Sequence, residues 1–202
     1  MKNDAISFMT YSFAIDKAMR AARLKQTPVC FWFTGLSGAG KSTIANAFEQ
    51  ALWHRGLQTC IVDADAVRQG LNADLGYGRE ARSENVRRIG HVARLMVDAG
   101  LIVIACSISP YSQDRQMVRS LFNEGEFVEV FVSTSLQTCA ARDPKGLYAR
   151  ARQGHLRQLS GWDDPYEKPA AADIELRTEH VSVDEAVLQL MAAYDALHDE
   201  QV

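Results

Sequence analysis

The stretch that most constrains the fold of this chain is residues 35–42, Gly-Leu-Ser-Gly-Ala-Gly-Lys-Ser. It follows the pattern G-x-x-x-x-G-K-[ST], in which a glycine-rich loop turns its backbone N–H groups toward phosphate oxygens. Lys41 then supplies a positive charge to the β- and γ-phosphates, and the Ser42 hydroxyl is placed to ligate Mg²⁺. The alternative is a glycine-rich turn that happens to contain Lys-Ser. The residues predicted to hold ATP in this loop are Gly35, Leu36, Ser37, Gly38, Ala39, Gly40, Lys41, Ser42 and Thr43.

The sequence on both sides of this loop has the strand–loop–helix order that phosphate binding requires. Residues 29–34 are apolar and β-prone, as in a buried parallel strand, and residues 43–54 place apolar side chains at helical spacing. The alternation of strands and helices continues along the chain. It predicts an α/β P-loop NTPase fold, with about five parallel strands and helices on both faces of the sheet. The further predicted strands are 59–62, 101–106, 127–132 and 174–176, and the further predicted helices are 79–99, 113–122, 136–141 and 183–198.

The chain has 202 residues, a length typical of one domain. We predict this domain at residues 28–202, after an N-terminal extension at 1–27. Residues 11–25 of the extension have helical character and would pack on the domain or on a second subunit. Residues 145–169 are polar and rich in Arg, Gly and Pro. Such a segment beside a nucleotide site predicts a mobile lid.

Charge and composition argue against several classes of partner. The formal net charge of −3 gives no bulk basicity for binding nucleic acid or a membrane surface. The apolar runs are short strands, far below the roughly eighteen residues of a membrane span, and residues 1–27 do not resemble a signal peptide. The 4 cysteines are scattered singly, as is typical of reduced thiols. We therefore expect a cytoplasmic protein.

Two acids follow the second predicted strand. Asp63 and Asp65 would lie at its carboxyl end, where open parallel sheets bind their ligands. Opposite the phosphate loop they are candidates for binding Mg²⁺ together with Ser42, and for catalysis together with Lys41. The competing explanation is that one of them caps the helix that follows.

Several segments beyond the loop resemble the adenylylsulfate kinase (APS kinase) family. The resemblance spans about residues 30–197, and the segments that carry it occur in order at 33–42, 68–76, 108–111, 126–132, 142–148 and 164–167. The resemblance implies transfer of the γ-phosphoryl group of ATP to the 3′-hydroxyl of adenosine 5′-phosphosulfate (APS). The product would be 3′-phosphoadenosine 5′-phosphosulfate, the activated form of sulfate. The resemblance also implies a homodimer and a functional link to ATP sulfurylase.

The resemblance assigns roles to individual positions. Asp65 would lie near Mg²⁺ and the attacking hydroxyl, Arg142 would contact ATP, and Lys145 would belong to the lid. Ser109 matches a serine described in this family as a phosphoserine intermediate. With no evident base nearby, we expect Ser109 to shape the acceptor pocket instead. The positions implied for the acceptor are Asp65, Arg68, Tyr77 as a stacking ring, Arg82, Asn85, Ile108, Ser109 and Lys145.

The sequence departs from the family pattern at three places. The usual Asp-Gly-Asp-Asn is Asp-Ala-Asp-Ala at residues 63–66, and the basic residue after Ser-Pro-aromatic is delayed until Arg115. Leu159 stands where a lid phenylalanine would sandwich the adenine. Losing one face of a base stack would cost roughly 1–3 kcal/mol of binding. Trp162 either closes over the base or anchors the lid.

Two alternatives to an APS kinase remain. A relative could phosphorylate another nucleoside 5′-derivative, such as cytidine diphosphoramidate, which would explain Leu159. A non-catalytic nucleotide-binding module would be the other, although the chain keeps Lys41, Ser42, Asp63 and Asp65.

Overall fold

The structure is a computed structural model that describes residues 13–199. Strands and helices alternate along these residues, close to the predicted positions. In chain order they are α1 (Lys17–Leu24), β1 (Cys30–Thr34), α2 (Lys41–His54), β2 (Thr59–Asp63), α3 (Ala64–Val67), α4 (Arg79–Asp98), β3 (Ile102–Cys106), α5 (Ser112–Arg119), β4 (Phe127–Val132), α6 (Leu136–Arg142), α7 (Leu147–Arg152), β5 (Ile174–Leu176) and α8 (Val183–Asp199).

The five strands form one parallel sheet in the order β2-β3-β1-β4-β5. β1 lies at its centre, with Phe33 opposite Cys106 of β3 on one side and Val130 of β4 on the other. This confirms the predicted α/β fold. The carboxyl ends of β1, β2 and β3 meet at one edge of the sheet, where such folds bind ligands.

The core lies in two layers, one on each face of the sheet. Alternate residues of β1 point in opposite directions, as a strand requires. Phe31 and Phe33 belong to the core cluster that includes residues of α2, α6, α7 and α8, and Cys30 and Trp32 belong to the cluster that includes residues of α4 and α5. All four side chains are fully buried, which explains why β1 is a continuous apolar run.

The N-terminal helix is shorter than predicted and packs on the domain. It begins at Lys17, and the earlier part of the predicted helix at residues 11–12 lies outside the described residues. Arg20 Nη1 donates to the carbonyl of Asp98 (3.1 Å), and Gln26 Nε2 donates to the carbonyl of Gly100 (2.7 Å). Polar contacts therefore hold α1 against the end of α4.

The segment predicted as a lid contains a short helix that the sequence did not predict. The carboxylate of Asp143 accepts from the N–H groups of Tyr148 (3.1 Å) and Ala149 (2.9 Å) at the start of α7. The Tyr148 ring is fully buried. A six-residue helix has no apolar stripe long enough to recognise, so these contacts specify it.

The four cysteines at 30, 60, 106 and 139 are free thiols. Burial raises the pKa of each of them, so they stay protonated. Within residues 13–199, no helix combines the length and the hydropathy that crossing a membrane requires.

Candidate active site

A cleft of about 1490 Å³ opens at the carboxyl edge of the sheet. Pockets for one small ligand usually measure about 300–1,000 Å³, so this cleft has room for two nucleotides. Most of the residues predicted from the sequence line it. They are Ser37, Gly38, Gly40, Lys41, Ser42, Thr43, Asp63, Asp65, Arg68, Tyr77, Arg82, Asn85, Ile108, Ser109, Arg142, Lys145 and Leu159. Gly35, Leu36, Ala39 and Trp162 do not belong to this lining.

The phosphate loop joins β1 to α2. Gly35 has φ +150°, and a Cβ there would lie 2.7 Å from the carbonyl oxygen of Val132 on β4, so only glycine fits. Lys41 Nζ donates to the carbonyls of Gly35 (2.9 Å) and Leu36 (2.8 Å). The lysine therefore folds over its own loop. Its burial lowers the pKa to about 8.

Asp63 caps a helix with one carboxylate oxygen and contacts the phosphate loop with the other. Its Oδ1 accepts from the N–H of Asp65 (2.9 Å) and caps α3, as a capping aspartate does. Its Oδ2 accepts from the hydroxyl of Ser42 (2.8 Å). The second oxygen and the Ser42 hydroxyl together are two adjacent oxygen ligands of the kind that Mg²⁺ prefers.

Asp65 faces the lid across the cleft. Its carboxylate forms an ion pair with Lys145 Nζ, and both side chains are more than half exposed. Exposed ion pairs of this kind contribute little to stability, so ligands can replace the contact at small cost. The pair joins the two predicted residues, one from the end of β2 and one from the lid.

Arg68 and Tyr77 form one wall of the cleft. The Arg68 guanidinium lies 4.5 Å from the centre of the Tyr77 ring, and Nη1 donates to the carbonyls of Leu75 (3.2 Å) and Gly76 (3.0 Å). These contacts fix the loop that carries Tyr77. The ring remains 63% exposed, so its outer face is accessible to a ligand.

Arg82 bridges this wall to the lid. Nε donates to the carbonyl of Tyr77 (2.7 Å), and Nη2 donates to the carbonyl of Gln158 (2.5 Å). Asn85, one turn later on α4, accepts at Oδ1 from Asn72 Nδ2 (3.0 Å), and both amides are buried. Two nitrogens of the Arg82 guanidinium therefore already donate to backbone carbonyls when no anion is bound.

The loop at residues 107–111 follows β3 and lies against β1. We call it the acceptor loop, since the predicted acceptor residues Ile108 and Ser109 belong to it. Thr34 Oγ1 donates to the carbonyl of Ile108 (2.8 Å). Trp32 Nε1 donates to the hydroxyl of Ser109 (3.1 Å), and Ser109 is 1% exposed with φ +39°. Ser109 thus holds a strained turn in place.

The tip of the lid is a tight turn pinned by Asp163, a residue that the sequence analysis missed. Its carboxylate accepts from the N–H groups of Leu159 (2.6 Å) and Gln158 (3.0 Å), and these two bonds hold its pKa below the usual value. An aspartate near a glycine in a loop was the only sequence signal. The turn presents Leu159 to the cleft wall, where it is 5% exposed.

Trp162 lies against the lid itself. Its ring packs edge-on against Tyr148 at 6.0 Å, and the Arg152 guanidinium lies 5.6 Å from the ring centre. In this structure Trp162 therefore packs on Tyr148 and Arg152 and lies outside the cleft lining. The neighbouring Gly161 has φ +83°, and a Cβ there would lie 2.4 Å from Leu36 Cδ2 of the phosphate loop. The lid tip thus rests directly on that loop.

Arg142 belongs to the cleft lining, and Tyr148 contacts the phosphate loop from outside that lining. Arg142 Nη1 donates to the hydroxyl of Thr178 (3.0 Å), and Nη2 donates to its carbonyl (3.1 Å). Tyr148, another residue missed from the sequence, donates its hydroxyl to the carbonyl of Ser37 (2.9 Å). Its position six residues after Arg142 gave no independent sign of this contact.

The five-stranded sheet, the phosphate loop and the lid over one two-ligand cleft define a P-loop kinase. The family model for adenylylsulphate kinase matches residues 27–177. The chain belongs to the adenylylsulphate kinase family.

Similar proteins and solved structures are consistent with this family membership. An adenylyl-sulfate kinase of Vibrio cholerae is 54% identical over 185 residues, which cover 92% of this chain and 86% of that protein. The Mycobacterium tuberculosis APS kinase CysC, in complex with AMPPNP and APS, is 41% identical with a TM-score of 0.81, over 84% of this chain and 99% of that one. A hexameric APS kinase from Thiobacillus denitrificans is 30% identical with a TM-score of 0.62, over 88% of this chain and 30% of that one.

Proposed function

We propose that this protein transfers the γ-phosphoryl group of ATP to the 3′-hydroxyl of APS. The observation that carries the proposal is the single cleft, lined on one side by the phosphate loop and on the other by Arg68, Tyr77 and the acceptor loop. Phosphoryl transfer needs mainly positioning and neutralisation of charge, and this cleft offers both.

On the ATP side, backbone N–H groups of the phosphate loop and the start of α2 would hold the phosphates. Lys41 would turn from the carbonyls of Gly35 and Leu36 to the β- and γ-phosphates, since those carbonyls are its contacts without ligand. Arg142 lies on the same side of the cleft and would contact the nucleotide.

Ser42 and Asp63 fit a Mg²⁺ ion, because their oxygens lie side by side at the mouth of the cleft. Such an ion, when bound with ATP, neutralises charge on the transferred group. Asp65 would then leave Lys145 and orient the 3′-hydroxyl, and Lys145 would be free to contact phosphate oxygens.

On the acceptor side, Arg68, Arg82 and Asn85 would hold the phosphosulfate, and Tyr77 would stack on the adenine through its exposed face. Transfer is direct in this proposal. The Ser109 hydroxyl is buried beside Trp32 and Ser107, and no base among residues 13–199 lies within hydrogen-bonding distance of it, so it is poorly placed to carry a phosphate.

The test is an assay of acceptors with purified protein, ATP and Mg²⁺. APS is compared with cytidine diphosphoramidate and other nucleotides, ADP release is measured, and Lys41→Ala is the control. Phosphorylated APS as the preferred product would support the proposal. Preference for the cytidine acceptor would favour the other kinase, and ATP binding without turnover of any acceptor would indicate a nucleotide-binding module.

We further propose a homodimer, a cytoplasmic location and a functional link to ATP sulfurylase, whose product would be this enzyme's acceptor. Ile15 and Met19, beside and within α1, are about half exposed and would suit a second subunit. Light scattering on the purified protein would test the dimer, and a coupled assay with ATP sulfurylase would test the link.

A further inference from the structure

Arg115 of α5 is a charged side chain that is only 3% exposed. Burying a guanidinium is unfavourable unless it is paired and fully hydrogen-bonded. Its Nε donates to Glu129 Oε1 of β4 at 2.7 Å, which balances the charge. The remaining donors of the fork are therefore available for other contacts.

Those donors reach two segments that are far apart in sequence. Nη1 donates to the carbonyl of Ser109 in the acceptor loop (2.8 Å), and Nη2 donates to the carbonyl of Glu167 (2.8 Å). Glu167 lies near the end of the predicted lid segment, residues 145–169. The guanidinium spreads its donors over three nitrogens in a fixed planar fork, whereas the donors of a lysine ammonium share one nitrogen, so lysine cannot make these three contacts.

Other bonds follow the same seam between the lid and the acceptor loop. The N–H of Glu167 donates to the carbonyl of Pro110 (2.8 Å), and its carboxylate accepts from the N–H and the hydroxyl of Ser112 (2.7 Å each). The hydroxyls of Tyr166 and Thr34 share a hydrogen bond (3.0 Å). Thr34 Oγ1 also donates to the carbonyl of Ile108 (2.8 Å). The end of the lid is thus fastened to the loop that would hold the acceptor.

We propose that Arg115 is a positioning residue that makes the acceptor loop and the end of the lid one unit, so that acceptor binding orders the lid. Arg115 does not belong to the cleft lining and acts through Ser109 and Glu167. The inference rests on the proposed function, because it assigns the acceptor to this loop.

The test compares Arg115→Lys with Arg119→Lys. Arg119 lies one turn later on α5 and pairs with Asp173 (2.5 Å) and Glu129 (3.7 Å), without a bond to Ser109 or Glu167. Two readouts are used. The first is KM for APS and for ATP together with kcat. The second is trypsin cleavage at the lid arginines 150, 152 and 157, with ADP alone and with ADP plus APS.

For Arg115→Lys we expect KM for APS to rise about tenfold, the size of one lost hydrogen bond to a charged donor, with KM for ATP nearly unchanged. APS should also no longer slow trypsin cleavage of the lid. Arg119→Lys should behave as wild type in both assays.

The inference would be overturned if Arg115→Lys and Arg119→Lys raised KM for APS equally. It would also be overturned if Arg115→Lys changed kcat and both KM values together, in step with a lower melting temperature. Should Arg115→Lys fail to fold, Ser112→Ala keeps the test available, because it weakens the same seam from the surface and should raise KM for APS about two- to threefold. An unchanged KM in Ser112→Ala would then count against the inference.

Wild-type protein that does not phosphorylate APS would refute the proposed function itself, whereas wild-type turnover with unchanged Arg115→Lys kinetics would refute only the coupling.

Discussion

Ser109 offers a sharp prediction, because two opposing effects meet at one residue. Its hydroxyl accepts a hydrogen bond from the buried Trp32 indole N–H (3.1 Å), and its backbone has φ +39°, a region that residues with a Cβ disfavour. Ser109→Ala removes the acceptor and keeps the strain. Ser109→Gly removes the acceptor and relieves the strain.

The magnitudes follow from these two effects. Leaving the indole N–H of Trp32 buried without a partner costs about 1–3 kcal/mol in both variants. Relief of a left-handed backbone returns about 1–2 kcal/mol to Ser109→Gly alone. We therefore expect Ser109→Ala to lower the free energy of unfolding by about 1–3 kcal/mol, and Ser109→Gly to be more stable than Ser109→Ala by about 1 kcal/mol.

Urea unfolding of wild type, Ser109→Ala and Ser109→Gly measures these differences in the free energy of unfolding. An unchanged m-value shows that the same transition is being compared. Incubation with γ-³²P-labelled ATP, without acceptor, tests the chemistry. Both variants should keep part of their activity, and no label should be found on Ser109. Equal stability of the Ala and Gly variants would refute the strain argument. Kinetically competent phosphoserine at Ser109 would refute direct transfer.

Other perturbations test the ATP side and the acid stability. Lys41→Ala should abolish turnover and leave the melting temperature close to wild type, because the ammonium hydrogen-bonds to carbonyls of its own loop; wild-type turnover would contradict the phosphate-loop assignment. Asp65→Asn should lower kcat far more than it weakens ATP binding, and an effect on affinity alone would favour a structural role. Hydrogen bonds from Ser135 and Thr138 lower the pKa of Glu179 from 4.5 to about 2. A depressed carboxyl pKa stabilises the fold above about pH 4.5, and this stabilisation is lost as pH falls toward 2. Glu179→Gln should therefore flatten the loss of melting temperature in that range, and an unchanged acid profile would contradict it.

The strands and the phosphate loop could be predicted because their signals are local. β4 begins and ends as predicted, and β1 differs by one residue, since a buried parallel strand is a continuous apolar run. The glycine at position 35 encodes a close approach to β4 that no other residue allows.

The helix within the predicted lid segment and the connections of that segment could not be predicted, because they depend on contacts between distant residues. The helix α7 is specified by Asp143 and by the burial of Tyr148 rather than by periodicity. In the sequence, Arg115 was only a basic residue that came later than the family pattern has it. Its bonds to Ser109 and Glu167 connect positions 6 and 52 residues away.

The same contacts bear on the base of the acceptor. Leu159 is fixed on the cleft wall by the Asp163 turn, and Trp162 is packed against Tyr148 and Arg152 on the lid. Trp162 would have to break both ring contacts to reach the base. On the proposed roles, Leu159 would therefore leave the adenine with one aromatic neighbour, Tyr77. Arg68 lies on the other face of that ring and holds it in place. On the proposed roles, acceptor binding then depends less on stacking and more on the cations that meet the phosphosulfate. Arg82 hydrogen-bonds to the Tyr77 loop and to the lid beside Leu159. Its position therefore affects the stacking on Tyr77 as well as the positive charge that faces the phosphosulfate.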